Sequence, residues 1–339
     1  MALNKQQLAK FDQIAPLISN TPLLEIGFTY RGESRRIFAK AEHYNLTGSI
    51  KDRVAYHVLR KAYLEDAIKP EDIIVEATSG NTGIAFSALG SYLGHQVIIY
   101  MPDWMSAERV NLMKSYGAQV RSVSREEGGF LGSIRMTEEL AEKGGVFLPR
   151  QFSNEDNVET HYLTTGEEIV RQLGAIGLKA DGVVAGVGTG GTIMGIAKRL
   201  QEENPSCKAY PLEPANSPTL STGYKVGHHR IQGISDEFVP SIINLDELDD
   251  VVSVDDGDSI AMARMLSAKL GIGVGVSSGA NFLGCLMAQE KMGKDSVVVT
   301  VFADDNKKYL STDYSEPVQI EAHYLTKDIE LTSLKAHRS

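Results

Sequence analysis

The run Gly182-Val183-Val184-Ala185-Gly186-Val187, continuing as Gly188-Thr189-Gly190-Gly191-Thr192, decides the fold class. Its first half is almost continuously apolar, as a strand buried on both faces of a parallel sheet reads. Its second half is a glycine-rich turn, and residues 193–203 then carry the apolar spacing of a helix. Strand, tight turn and helix in that order make one unit of an α/β sheet. The turn also implies chemistry. Four of the six residues 186–191 are glycine, so the backbone can close on an anion. The exposed N–H groups and the helix dipole then hold phosphate, and threonine hydroxyls add donors. Two readings are open here. Gly188, Thr189, Gly190, Gly191 and Thr192 form a phosphate cradle. Alternatively, Gly186, Gly188 and Gly191 form the GxGxxG of an NAD-dependent dehydrogenase, with Glu213 on the ribose.

The same alternation recurs outward from this unit. Strands are predicted at residues 73–77, 96–101, 119–123, 146–148, 208–213, 250–254 and 296–301. Helices are predicted at 84–93, 107–116, 131–143, 164–173, 257–269 and 279–291. Nearer the N-terminus, an amphipathic helix over 5–18 stops at Asn20-Thr21-Pro22, and extended segments follow at 23–26 and 35–42. The expected fold is α/β with two domains, each a mostly parallel twisted sheet covered by helices. The smaller spans residues 46–152. The larger combines 1–45 with 153–320, and 321–339 is a polar tail that the pattern does not place.

Composition narrows the function. The net charge of −10 disfavours nucleic acid or an anionic membrane as partner. Cys207 and Cys285 lack CxxC spacing, which argues against a disulfide framework or a structural zinc site. No HExxH occurs, and no metal site is expected. The first ten residues are polar and lack a signal-like apolar segment, no apolar run approaches a bilayer span, and the cytoplasm is the expected compartment.

Three further polar turns lead into helices. Asn45-Leu46-Thr47-Gly48-Ser49-Ile50-Lys51-Asp52-Arg53 puts a lysine at the start of a helix whose apolar face is Val54, Ala55, Val58, Leu59, Ala62 and Tyr63. A cation there works against the helix dipole. A partly desolvated lysine in a positive field has a lowered pKa and can be a nucleophile. Thr78-Ser79-Gly80-Asn81-Thr82-Gly83 offers more hydroxyl and amide groups than one helix cap needs, which suits a bound carboxylate. Val276-Ser277-Ser278-Gly279-Ala280-Asn281, read alone, is an N-cap.

In this order the turns resemble those of fold-type II enzymes that use pyridoxal 5'-phosphate (PLP), a tryptophan synthase β-like fold. The match is to the cysteine synthase and cystathionine β-synthase group. Asn20-Thr21-Pro22-Leu23, Ile231-Gln232-Gly233-Ile234 and Tyr309-Leu310-Ser311-Thr312 fit it too, so the resemblance covers about residues 18–313. It implies that Lys51 forms the Schiff base with PLP and later moves the substrate α-proton. It puts the cofactor phosphate on Gly188, Thr189, Gly190, Gly191 and Thr192, the ring hydroxyl on Asn81 and the ring nitrogen on Ser277. Thr78, Ser79, Thr82 and Gln151 would bind the carboxylate of an amino-acid substrate. A serine at the ring nitrogen disfavours transamination and favours expulsion of a β-leaving group, giving an aminoacrylate. A homodimer is implied as well.

One stretch departs from the group. Ile234 is followed by Ser235-Asp236-Glu237-Phe238, where cysteine synthases usually have small residues facing the cleft. Two carboxylates there would repel an anionic sulfide. They could orient water or act as acid or base, with Asp236 the catalytic candidate and Ser235 a substrate contact. The expected activity is β-replacement or β-elimination on O-acetylserine, serine or cysteine, as in a cysteine synthase. The alternative is an L-cysteine β-lyase that releases hydrogen sulfide and forms serine or lanthionine. Residues 1–45 lack a paired Cys and His for haem, and the residues after Asp313 are too few for a regulatory domain, which disfavours a regulated cystathionine β-synthase. A binding protein without turnover is disfavoured by the intact Lys51.

Overall fold

The computed structural model describes residues 2–234 and 237–338, with side chains from residue 6 onward. In chain order the elements are α1 Ala2–Ile14, β1 Leu23–Tyr30, β2 Glu33–Ala41, α2 Lys51–Leu64, β3 Ile73–Ala77, α3 Asn81–Leu93, β4 Val97–Pro102 and α4 Ala107–Ser115. Then come β5 Gln119–Val123, α5 Gly129–Ala141, β6 Val146–Phe147, α6 Asp156–Thr160, α7 Glu167–Gly174, β7 Gly182–Gly186, α8 Gly191–Glu203 and β8 Lys208–Pro214. The last are α9 Thr219–Thr222, β9 Val252–Val254, α10 Asp256–Leu270, α11 Val276–Met292, β10 Val298–Phe302 and β11 Ile329–His337.

Two sheets form. One has the order β11-β1-β2-β10-β7-β8-β9, and the other β5-β4-β3-β6. The smaller sheet is parallel throughout. The larger is parallel from β2 to β9 and antiparallel at the β11-β1-β2 edge. β7 shows why its sequence is continuously apolar. Val183 and Ala185 enter one core, and Val184 enters the core on the opposite face. Residues alternate across a strand, so burial on both faces requires every position to be apolar.

Packing shows what the two terminal segments of the chain touch. Phe11, Ile14 and Ile18 lie in the same core as α2 and α3 beside the smaller sheet, although residues 1–45 were expected with the larger one. The apolar stripe of α1 matches a helix-covered face, which an alternating β/α count does not reveal. Part of the 321–339 tail, which the sequence pattern does not place, is a strand. Ile329–His337 pairs antiparallel with β1, from Leu23 opposite His337 to Tyr30 opposite Ile329. Among the described residues no helix is long and apolar enough to cross a membrane.

Candidate active site

The N-termini of α2, α3, α8 and α11 border one cleft, so four positive helix ends converge. It is lined by Lys51, Thr78, Ser79, Asn81, Thr82, Gln151, Gly188, Thr189, Gly190, Thr192 and Ser277. Gly191, the first residue of α8, is buried and follows Gly190 in the chain. Ser235 and Asp236 fall outside the described residues.

Lys51 opens α2. Its start is anchored from the larger sheet: the Ile50 N–H donates to the Ala303 carbonyl at 2.8 Å, and Ser49 bridges Asp304. Asp52 is fully buried and accepts from the Thr47 N–H at 2.8 Å and the Thr47 hydroxyl at 2.6 Å, folding the turn back over the helix. Burial pushes its carboxyl up to about 6, against those bonds. Arg53 turns away from the cleft into a buried cluster with Glu42, Glu168 and Lys40.

The glycine turn is held from several sides. Gly190 has φ of +93°, a left-handed conformation that favours glycine. The Gly186 N–H donates to Asn281 Oδ1 at 2.8 Å. Asn157 Nδ2 donates to Thr189 Oγ1 at 2.9 Å, which leaves the Thr189 hydroxyl hydrogen for a ligand. Thr192 Oγ1 lies 3.3 Å from His161 Nε2. Burial, reinforced by the charge of Lys51, holds His161 well below the usual imidazole range and therefore neutral.

The polar turn after β3 is shorter than expected. α3 begins at Asn81, three residues before the predicted helix start, which places Asn81 and Thr82 in its first turn. Thr82 Oγ1 donates to Gln151 Oε1 at 2.6 Å, and Gln151 Nε2 donates to the Ala77 carbonyl at 2.8 Å. The Gln151 N–H meets Glu76 Oε2 at 3.3 Å. Burial drives the Glu76 carboxyl up to about 8. α11 likewise begins at Val276 rather than 279, so Ser277 sits within its first turn.

The dinucleotide alternative fails at its acid. Glu213 is fully buried and accepts from the Leu220 N–H at 2.8 Å, from Ser253 Oγ at 3.1 Å and from the Ser221 hydroxyl. A carboxylate so engaged at a helix start cannot receive a ribose.

Four contributors have no local signature in the sequence. Asn157 and His161 hold the glycine turn. Arg109 borders the cleft, buried, with its guanidinium 5.1 Å from the Tyr309 ring centroid. Asp304 receives Asn81 Nδ2 at 2.8 Å. Outside the cleft, and sharing Ser79, Gln232, Gly233 and Ile234 with it, opens a cavity of about 650 Å³ that includes Trp104, Phe130, Arg230 and Glu237. Glu237 pairs there with Lys225 at 3.4 Å.

These residues fit PLP. Glycine N–H groups and threonine hydroxyls at a helix start suit its phosphate, and a lysine borders the same space as two hydroxyl-bearing turns. Asn81 Oδ1 is buried with no partner among the described residues, an acceptor awaiting a polar ligand.

Comparison with known proteins agrees. The family model of pyridoxal-phosphate dependent enzymes matches residues 14–304. A probable cysteine synthase of Bacillus subtilis is 40% identical over 300 residues, covering 88% of this chain and 96% of that protein. The crystal structure of a hydrogen sulfide-producing enzyme from Fusobacterium nucleatum is 59% identical, with a TM-score of 0.95 over 98% of this chain and 99% of that one. An O-acetylserine dependent cystathionine beta-synthase from Helicobacter pylori is 32% identical, with a TM-score of 0.80 over 91% and 98% of the two chains. The motifs, the cleft they build and these likenesses together make the chain a member of the pyridoxal-phosphate dependent enzyme family.

Proposed function

We propose that this protein releases hydrogen sulfide from L-cysteine, replacing the β-thiol with a hydroxyl from water to leave serine. The observation that carries the choice is the 59% identity, sustained along nearly the whole chain, with the hydrogen sulfide-producing enzyme, against 40% with the cysteine synthase. The acidic Ser235-Asp236-Glu237 stretch supports it, because a carboxylate can orient water and repels an incoming sulfide anion.

PLP, when bound, draws electrons from the substrate α-carbon, so that the α-proton and the β-substituent can depart. The chain supplies the rest. The glycine turn from Gly188 to Thr192 holds the cofactor phosphate, Asn81 its ring hydroxyl and Ser277 its ring nitrogen. Thr78, Ser79, Thr82 and Gln151 take the substrate carboxylate, with N–H groups at the start of α3 adding positive potential. Lys51 Nζ anchors the cofactor, accepts the α-proton and passes a proton to the departing thiol. Asp236 accepts a proton from the water that replaces it, and that proton returns by way of Lys51 Nζ to the α-carbon; Glu237 is engaged by Lys225. Cysteine plus water thus gives serine plus hydrogen sulfide. We read the enzyme as a cytoplasmic homodimer.

The test offers the holoenzyme cysteine alone, then O-acetylserine with sulfide, and identifies the products. Sulfide and serine from cysteine are expected, and Asp236→Ala lowers sulfide release by about 100-fold, as removal of a general base does. Lanthionine as the main product would mean that a second cysteine, not water, attacks. Fast cysteine formation from O-acetylserine with no sulfide from cysteine would return the protein to the cysteine synthases.

A further inference from the structure

We propose that Asp304 is a positioning residue for the cofactor: it sets which end of the Asn81 amide faces the cofactor ring hydroxyl. It also holds three turns of the site in one register.

Asp304 follows β10 and is fully buried. Its main chain touches two motif turns. On one side it bridges Ser49, two residues before Lys51. On the other its carbonyl accepts the Gly275 N–H at 3.1 Å, two residues before Ser277. Its side chain reaches the third. Oδ2 accepts Asn81 Nδ2 at 2.8 Å and the Tyr309 hydroxyl at 2.7 Å. Oδ1 presses against Gly275, where a Cβ would stand 2.1 Å from it, and has no hydrogen-bond partner among the described residues. Only glycine fits beside this carboxylate.

The orientation follows from the chemistry of the two groups. A carboxylate oxygen accepts, so it holds the nitrogen end of the amide. Rotating Asn81 by half a turn would set its oxygen against Asp304 Oδ2, two acceptors in a buried place. Asn81 Oδ1 is therefore the end left without a partner, and it remains to receive the proton of a ring hydroxyl. Hydrogen bonding to one protonation state of a group favours that state. Through Asn81, Asp304 thus acts on the protonation of the cofactor ring without touching it.

The inference rests on the cofactor and not on the choice of substrate, so its test needs no turnover. Asp304→Asn keeps the shape but can donate as well as accept, which frees the Asn81 amide to rotate. In the holoenzyme the visible absorption band of bound PLP then shifts or splits, and PLP dissociates about 10-fold more readily, the scale of one misplaced hydrogen bond. Tyr309→Phe removes the other donor but leaves Asn81 tethered, and the band stays in place. In an Asn81→Ala background, Asp304→Asn moves the band no further. The proposal is overturned if Asp304→Asn retains both the band and the PLP affinity. It is equally overturned if Tyr309→Phe shifts the band as much, or if the effect persists without Asn81.

Discussion

Glu76 shows at the scale of a single residue how burial alone creates a titration. Its carboxyl accepts the Ala77 N–H at 2.9 Å and, more weakly, the Gln151 N–H, and these bonds together with the charge of Arg150 fall short of the cost of burying it. Burial therefore lifts it from the ordinary carboxylate range to about 8. The folded protein keeps this proton while the unfolded chain loses it near the ordinary value. Glu76 thus lowers stability progressively as pH rises from about 4.5 toward 8. Glu76→Gln should remove that slope: the melting temperature of the variant exceeds the parent's at pH 8 and matches it near pH 5. Equal melting curves at pH 8 would show that the carboxyl is not held protonated. Lys51 is the contrasting case. Its place at a turn-to-helix junction was readable from its neighbours in the chain. Arg109, Asn157, His161 and Asp304 act through atoms far away in sequence, so no local spacing marks them.

Elements were readable where their buried face is apolar. α2 buries Val54, Ala55, Val58, Leu59, Ala62 and Tyr63, the predicted stripe. The helical run from Asp156 through the π-turn His161–Gly166 into α7 was predicted only from 164 onward. Its early buried residues are Asn157, Thr160, His161 and Thr165, and a polar face carries no hydrophobic periodicity. The helix that carries Lys51 is also tied down by charge. Burial alone would raise the Glu42 carboxyl, yet the charge and bonds of Arg53 outweigh it and hold it at about 2. Arg53 spans Glu42 at 2.6 Å and Glu168 at 2.7 Å, and Lys40 closes the cluster on Glu168 at 2.8 Å. α2 is thereby joined to the end of β2 and to α7. Arg53→Ala leaves two buried carboxylates with one cation and should cost on the order of 3–5 kcal/mol in denaturant unfolding. A loss under about 1 kcal/mol would mean that water reaches the cluster.

At the scale of the molecule, the C-terminal strand has the most to test. β11 covers the edge of β1 and places Ile329 in the core, with Leu331 packed against it. Ending the chain at Asp328 should forfeit on the order of 1–3 kcal/mol of apolar burial and leave a β1 edge able to pair with another chain. Lower thermal stability and concentration-dependent association in size-exclusion chromatography are the expected signs. A truncated protein that stays dispersed and melts like the parent would make the strand dispensable.

The sequence by itself determined the α/β alternation, the glycine turn, the lysine at its helix start and the order of the polar turns. Each depends on residues adjacent along the chain, where periodicity and turn chemistry act locally. Only the tertiary structure decided that α1 joins the smaller sheet and that β11 closes the larger. It alone took Glu213 out of the cleft and placed Asp304 where three turns meet. Those outcomes depend on which buried polar groups find partners across the fold, and long-range pairing leaves no mark in local spacing. The run from Gly182 to Thr192 could announce a phosphate site, but the groups that hold it in place, Asn157 and His161, come from another helix.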